Sequence, residues 1–341
     1  MNTMDIDQPD KILRKQIGGY QNTALIFTAV KLGLPDLLQE EKYNLQQLAE
    51  KIQCAEDKLK RLLSALELIG LCYLSTTKIY QLTESGRLLA TNSSTPHREM
   101  VEIAVEQYWE SWTNLSGAIR TGKSAFERLH GQNVFEWRSE NADANEKFNL
   151  WLSKETKAYI SDILEVLDLT GTAEIADIGG GSGILLGSLL RKHPHIRGKL
   201  FDQPHVIQQT KNAIGAGNQD IQQRLEYIEG DFFKSVPVKA DTYIMKSIIH
   251  DWDDVESIAI LRNCYSAIPK HSRFILIERL TKQEAKACEN TILLDMHMMA
   301  VTGGKERSLD EYKYLLLESN FNFIKSTVTS SGFHLIEAVP A

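Results

Sequence analysis

From residue 174 onward, short apolar runs alternate with amphipathic stretches. The runs at 174–178, 198–202, 225–229, 241–246 and 273–278 have the length of buried strands. Between them, at 183–193, 204–215, 254–268 and 285–302, apolar residues recur at helical spacing. A further helical stretch at 308–319 leads to two last strands, 322–329 and 332–338, joined by Ser330-Ser331. Such alternation predicts an α/β domain with a parallel, doubly wound sheet. The closing hairpin must set its last strand antiparallel to the others.

The first half of the chain follows a different pattern. Ile12 to Leu34 reads as one helix, apolar enough through Ala24, Leu25, Phe27, Ala29, Val30 and Leu32 to predict packing on a partner subunit. Tyr43 to Ala90 has a helix-turn-helix cadence. Leu45, Leu48 and Ile52 line one short helix, and Leu59, Leu62, Leu63, Leu66 and Ile69 line the next, which Gly70 closes. Two small strands follow at Cys72–Leu74 and Ile79–Leu82, a winged-helix pattern. Reading DNA requires a basic face. Here Lys58, Lys60 and Arg61 are offset by Glu56, Asp57 and Glu67, which favours a scaffold or dimerisation element. Arg98 to Arg120 and Ala144 to Leu167 read as helices carrying three of the five tryptophans, Trp109, Trp112 and Trp151. Some of their aromatics are candidates to line a pocket for a flat, apolar molecule. The predicted organisation is a winged-helix-like dimerisation domain over 1–105 and a second domain over 106–341. The latter comprises a helical segment to 170 and the α/β core from 171.

Composition narrows the function. With 341 residues and 43% hydrophobic content, two globular domains are the prior. A net charge of −7 argues against broad nucleic-acid binding and a basic membrane surface. Cys54, Cys72, Cys264 and Cys288 are scattered without a paired motif, which argues against disulfides and a thiolate metal site and for a reducing cytoplasm. The polar, acidic start is not that of a signal peptide, and no apolar run approaches the roughly 20 residues of a membrane span.

The candidate chemistry gathers at predicted strand ends, where open α/β sheets bind ligands. Glu174 to Gly183 reads as strand, glycine turn and helix start, a nucleotide-binding opening. Asp177, just before the turn, would repel a pyrophosphate but not an ammonium and a sulfonium, which favours S-adenosylmethionine over NAD. Gly181, Gly183 and Gly187 also spell G-x-G-x-x-x-G, so a nicotinamide cofactor stays open here. Asp202, about 20 residues on, suits ribose hydroxyls of either cofactor. Asp231 beside Phe232 and Phe233 suits an adenine. His250, beyond the fourth strand, has a side chain able to take a proton near neutral pH. Glu278 ends the fifth strand and Glu306 follows Gly303-Gly304-Lys305; either could hold an imidazole N–H. Seven strands with an antiparallel edge fit a methyltransferase better than a dehydrogenase.

Five segments, in order, carry a family resemblance. They are Ile-Ala-Asp-Ile-Gly-Gly-Gly-Ser-Gly (175–183), Phe-Asp-Gln-Pro-His-Val-Ile (201–207), Gly-Asp-Phe-Phe (230–233), Met-Lys-Ser-Ile-Ile-His-Asp-Trp-Asp-Asp (245–254) and Gly-Gly-Lys-Glu-Arg-Ser (303–308). With them the chain resembles, over nearly its whole length, the caffeate/hydroxyindole-type small-molecule O-methyltransferases of plants and bacteria. The resemblance implies a Rossmann-like seven-stranded domain, a winged-helix dimerisation domain and a metal-free homodimer using S-adenosylmethionine. It implies cofactor contacts from Gly179, Asp202, Asp231, Phe232 and Lys246. His250 would be the general base, flanked by Glu278 and Glu306, and Trp109, Phe148, Leu152, Asp251 and Met298 would line the substrate pocket. Val301-Thr302 stands where plant members carry an Asn-containing segment, which points away from a lignin-type substrate and toward a bacterial aromatic natural product.

The expected activity is methylation of a phenolic or similar hydroxyl of a small molecule, with neither nucleic acid nor membrane as partner. Rival readings are a cofactor-binding relative that decarboxylates or hydroxylates, an NAD(P)-dependent oxidoreductase, and a winged-helix regulator.

Overall fold

The computed structural model describes residues 8–214, 219–281 and 289–341. The chain divides into two compact units, Met1–Trp109 and Glu110–Ala341.

In the first unit the expected helix over Ile12 to Leu34 is two, Gln8–Ile17 and Gly19–Lys31, and a further helix starts at Leu34. The break falls at the Gly18-Gly19 pair, where two flexible residues in a row make a continuous helix costly. Ile12, Leu13 and Ile17 of the first helix stand exposed. Helices Leu45–Lys51 and Glu56–Leu68 follow, the first opened by Asn44 and Gln47 in a reciprocal capping box. Strands β1 (Cys72–Leu74) and β2 (Tyr80–Leu82) then pair antiparallel as the wing. Leu34, Leu48, Leu59, Leu63, Leu66, Tyr80 and Leu82 form the unit's core.

The stretch from Arg98 to Arg120, expected as a single helix, is instead a series of pieces. His97–Ile103 runs into a π-helical turn at Ala104–Tyr108 and then Trp109–Thr113. Asn114 interrupts, and Leu115–Thr121 follows, ending at Gly122 in the left-handed region.

The second unit is built on a seven-stranded sheet. Its strands are β3 (Glu174–Ile178), β4 (Arg197–Asp202), β5 (Leu225–Glu229), β6 (Thr242–Lys246), β7 (Arg273–Arg279), β8 (Phe321–Val328) and β9 (Phe333–Pro340), in the order β5-β4-β3-β6-β7-β9-β8. The first five are parallel, and β9 inserts antiparallel between β7 and β8. Strand side chains alternate between the faces. Ala176, Ile178, Tyr243, Met245, Phe274 and Leu276 pack on one side against helices Asp254–Ala267 and Leu309–Glu318. Ile175, Leu200, Ile244, Ile275 and Ile277 pack on the other against Ile184–Lys192 and the long helix Ala142–Val166. Both faces are covered, which is why these strands read as nearly continuous apolar runs. Two helices expected at 204–215 and 285–302 appear as Pro204–Ile214 and Glu289–Val301; residue 215, residues 285–288 and with them Cys288 lie outside the described residues. Among the described residues, no helix is long and apolar enough to cross a membrane.

Candidate active site

The carboxyl ends of β3, β4, β6 and β7 open on one edge of the sheet, and the chain's polar chemistry collects there. After Ile178 the backbone turns at Gly179, whose φ is +70°. A Cβ at Gly179 would fall 2.7 Å from Ile248 Cδ1 and 3.8 Å from a Phe232 ring carbon, so only glycine lets the turn lie this close to both. Asp202 closes the turn from β4. Its Oδ2 accepts the Gly181 N–H at 2.8 Å and its Oδ1 accepts the Gln203 N–H at 2.7 Å. Burial raises the Asp202 carboxyl to about 6 despite those two donors. The buried Thr210 hydroxyl donates to the Gly181 carbonyl at 2.9 Å.

Asp177 sits behind this turn and is almost wholly buried, 2% exposed. Burial, and then the Asp202 charge, push its carboxyl up to about 7, and its Oδ2 has no hydrogen-bond partner. This revises the charge argument made from the sequence. An acid held partly neutral repels a pyrophosphate less than an ionised one would.

Asp231 and Phe232 follow β5. Asp231 Oδ1 accepts the Phe233 N–H at 2.9 Å, and Asn263 Nδ2 donates to the carbonyls of Phe232 and Phe233, both at 2.9 Å. The Lys246 ammonium, at the end of β6, lies 5.2 Å from the Phe333 ring centre. Burial lowers its pKa, opposed by the charges of Glu278 and Asp177.

The His250 cluster is assembled from three separate segments. Ser247 takes a left-handed φ of +54°, a strained conformation for serine, and leads into the short turn Ile249–Asp251. Glu278 Oε1, from β7, accepts the N–H groups of both Ile248 and Ile249, at 3.1 and 2.9 Å. Its other oxygen lies 3.7 Å from His250 Nδ1. Glu306 Oε1 lies closer, 2.8 Å from Nδ1, and Asp251 Oδ1 is 3.8 Å from Nε2. The two glutamates therefore divide the work: Glu278 holds the backbone of the turn and Glu306 holds the ring. A carboxylate acceptor at 2.8 Å keeps a proton on Nδ1, so in the neutral ring Nε2 carries the lone pair. Burial alone would lower the ring's pKa, but Glu278, Asp251 and Glu306 outweigh it and raise it to about 10. Burial pushes Glu278 up to about 7, with His250 opposing, and Asp251 up to about 6.

The structure thus brings His250, Asp251, Glu278 and Glu306 together, and joins them through Ile248 to Gly179 and Phe232. The pocket candidates are more dispersed. Leu152 lies beside Gly181, where an added Cβ would meet it at 3.9 Å. Phe148, one turn earlier on the same helix, lies under the Arg138 guanidinium at 3.6 Å. Met298 is buried on Glu289–Val301, next to His297, whose Nδ1 accepts the Trp112 indole N–H at 3.3 Å. Burial, then Arg138 and His250, lower His297 to about 4. Trp109 is the last residue of the first unit. Thr210, Asn263, Arg138, His297 and Arg307 were not singled out from the sequence. Arg307 lies within the Gly-Gly-Lys-Glu-Arg-Ser segment; the other four are common residue types with no spacing signal, and only the folded arrangement selects them.

A family model described as an O-methyltransferase domain matches residues 112–322, and one described as an O-methyltransferase dimerisation domain matches residues 14–92.

The chain belongs to the O-methyltransferase family.

Similar members include the phenazine O-methyltransferase PhzM of Lysobacter antibioticus, 34% identical over 96% of each chain. The 3-amino-4-hydroxybenzoate 4-O-methyltransferase of Streptomyces cremeus is 31% identical over 97% of this chain and 90% of its own. The mitomycin 7-O-methyltransferase MmcR superposes with a TM-score of 0.91 at 27% identity, covering 98% of both chains. The calicheamicin-biosynthesis methyltransferase CalO1, solved with S-adenosylhomocysteine bound, superposes at 0.80 with 26% identity, over 99% of this chain and all of its own. This O-methyltransferase is S-adenosylmethionine-dependent and acts on a small molecule. The crevice fits such a cofactor: bare backbone at Gly179, a carboxylate at the end of β4 and an aromatic ring beside an acid after β5.

Proposed function

We propose that this O-methyltransferase methylates a phenolic hydroxyl of a small aromatic natural product, with His250 as general base, and that it works as a homodimer. The observation that carries the mechanism is the imidazole 2.8 Å from Glu306, inside a cluster that also contains Glu278 and Asp251. The aromatic acceptor is supported by the relatives' names, among them a phenazine and an aminohydroxybenzoate enzyme. The homodimer is supported by the dimerisation-domain match and by exposed Ile12, Leu13 and Ile17.

S-adenosylmethionine supplies the methyl group as an electrophile and brings a positive sulfonium. Gly179, Asp202, Asp231 and Phe232 would hold its nucleoside, with Lys246 behind them. Nε2 of His250 would take the hydroxyl proton as the oxygen–carbon bond forms and the carbon–sulfur bond breaks, with S-adenosylhomocysteine leaving as the neutral thioether. Glu306 on Nδ1 and Glu278 at 3.7 Å stabilise the imidazolium that results. The same carboxylates raise the ring's pKa in the free protein, whereas a base acts from the neutral ring. Any cation entering this acidic crevice drives it that way. Phe148 and Leu152 would offer apolar surface to a flat ring, with the buried Met298 and the polar Asp251 as further lining candidates.

The test is transfer of radiolabelled methyl from S-adenosylmethionine to a panel of hydroxyphenazines and aminohydroxybenzoates. Label recovered in a methyl ether supports the reading; label on amine nitrogen alone would sink it. His250→Gln should lower kcat by roughly 10²–10⁴-fold and leave S-adenosylhomocysteine affinity nearly unchanged. Turnover near the native rate in that variant would remove His250 from the mechanism.

A further inference from the structure

Arg307 is the largest wholly buried side chain among the described residues, and it sits next to Glu306. Its Nη1 donates to the carbonyl of Ile249 at 2.9 Å and its Nη2 to that of Trp252 at 2.8 Å. The guanidinium therefore grips the backbone on both sides of His250. Nε and Nη2 both reach Asp254 Oδ1, at 3.0 and 2.8 Å, and Nη2 reaches Ser257 Oγ at 3.3 Å. This ties the turn to the start of helix Asp254–Ala267. On its other side Arg307 gives its carbonyl to the Thr281 N–H at 3.0 Å, just beyond β7. The approach is close because position 304 is glycine. A Cβ there would fall 2.1 Å from the His250 carbonyl oxygen and 2.6 Å from the Trp252 nitrogen.

Burying a guanidinium costs several kcal/mol before its partners are counted, and an apolar side chain could fill the same volume more cheaply. An apolar side chain could not hold the carbonyls of 249 and 252 at fixed separations. We propose that Arg307 is a positioning residue: it sets the backbone of the His250 turn so that the imidazole meets Glu306. The two consecutive residues then grip one turn twice, Glu306 by the ring and Arg307 by the main chain. The inference rests on His250 being the base, and it deepens that reading.

A carbonyl-gripping arginine is not special in itself. Arg224 donates to the carbonyls of Leu190 and Ile196 at 2.9 and 2.8 Å, at the far end of the helix that follows the glycine turn. It serves as the control. The readout is the titration of the His250 ring in the full chain labelled with ¹³C at histidine Cε1, assigned by the signal lost in His250→Gln. The ring is faced by Asp251 from its own turn, Glu278 from β7, Glu306 from the 303–308 segment and, at longer range, His297 from helix Glu289–Val301.

Arg307→Lys keeps the charge and loses the fork. The titration midpoint should fall by about one pH unit as the Glu306 contact lengthens. Arg224→Lys should leave the midpoint unchanged while lowering the melting temperature. Adding Glu306→Gln should shift the ring less in the Arg307→Lys background than in the wild type, because both changes act on one contact. S-adenosylhomocysteine calorimetry certifies that each variant is folded. A folded Arg307→Lys chain with the native His250 midpoint overturns the proposal, and so does an equal Glu306→Gln shift in both backgrounds. Should Arg307→Lys fail to fold, Asp254→Asn loosens the same guanidinium from a half-exposed position. A downward shift there supports the proposal and an unmoved midpoint overturns it. None of these readings needs turnover, so a failed general base and a failed positioning role give different results.

Discussion

The two walls of the crevice are built from opposite materials. The wall after β3 is mostly main chain: a glycine turn, N–H groups taken up by Asp202, and a carbonyl tied to Thr210. The wall after β6 and β7 is mostly buried charge: His250, Asp251, Glu278, Glu306 and Arg307 within one interlocked set. A backbone wall tolerates no added atoms. A charged wall tolerates no lost partners, because each remaining charge then stands uncompensated in a poorly solvated place.

Substitutions that keep shape and change charge should therefore separate the two. After His250→Gln, the largest effect is expected for Glu306→Gln, which leaves the ring its hydrogen-bond acceptor but not its counter-charge; kcat should fall by roughly 10²-fold with S-adenosylhomocysteine affinity retained. A fall in that affinity instead would mean that the walls are not separable.

Asp177→Asn makes the opposite change on the backbone wall. The folded carboxyl, at about 7, lies above its ordinary value of 3.8. Its favourable contribution is thus complete in acid and is lost as pH rises through about 7. The amide escapes that loss, so the variant should be more stable than the native chain by about 2 kcal/mol at pH 8 and no more stable near pH 4. Urea unfolding at the two pH values checks it; an advantage independent of pH would refute the buried-charge account.

Glu278→Gln sharpens the division between the glutamates. Its amide oxygen can still accept the N–H groups of Ile248 and Ile249, so the turn survives and kcat should drop by only about tenfold. A loss as large as that of Glu306→Gln would make the two carboxylates equivalent. The smallest effect is expected for Asn263→Ala, which unpins the Phe232 and Phe233 carbonyls; calorimetry should find S-adenosylhomocysteine bound about threefold more weakly, with kcat unaltered.

The same contrast explains what could be read from the sequence. The backbone wall was legible because glycines in series, an acid at the next strand end and the alternation of elements are local signals. The strands, and the described ends of the helices expected between them, accordingly lie within a residue or two of expectation, Glu174–Ile178 and Thr242–Lys246 among them. His250, Glu278 and Glu306 were legible from their places beyond strand ends and after a glycine pair as residues able to do proton chemistry, and the family resemblance added their roles. Their meeting depends on a close approach at Gly304 that no spacing encodes. Arg307 stood within the Gly-Gly-Lys-Glu-Arg-Ser segment, but no role could be read for it there. Beside Lys305 and Glu306 it reads as one more surface charge, and its burial follows from the main-chain carbonyls it finds. The helices that proved broken, at Gly18 and Asn114, failed differently. Apolar periodicity ran through both positions, and local turn chemistry overrode it.

The placement of β9 also carries a consequence for how the protein comes into being. Because β9 lies between β7 and β8, the strand bearing Glu278 keeps an open edge until residues 333–340 have left the ribosome. The strand that braces the His250 turn is then among the last parts to gain a finished neighbour. Nascent chains stalled before that point would expose a sticky strand, a natural foothold for chaperones.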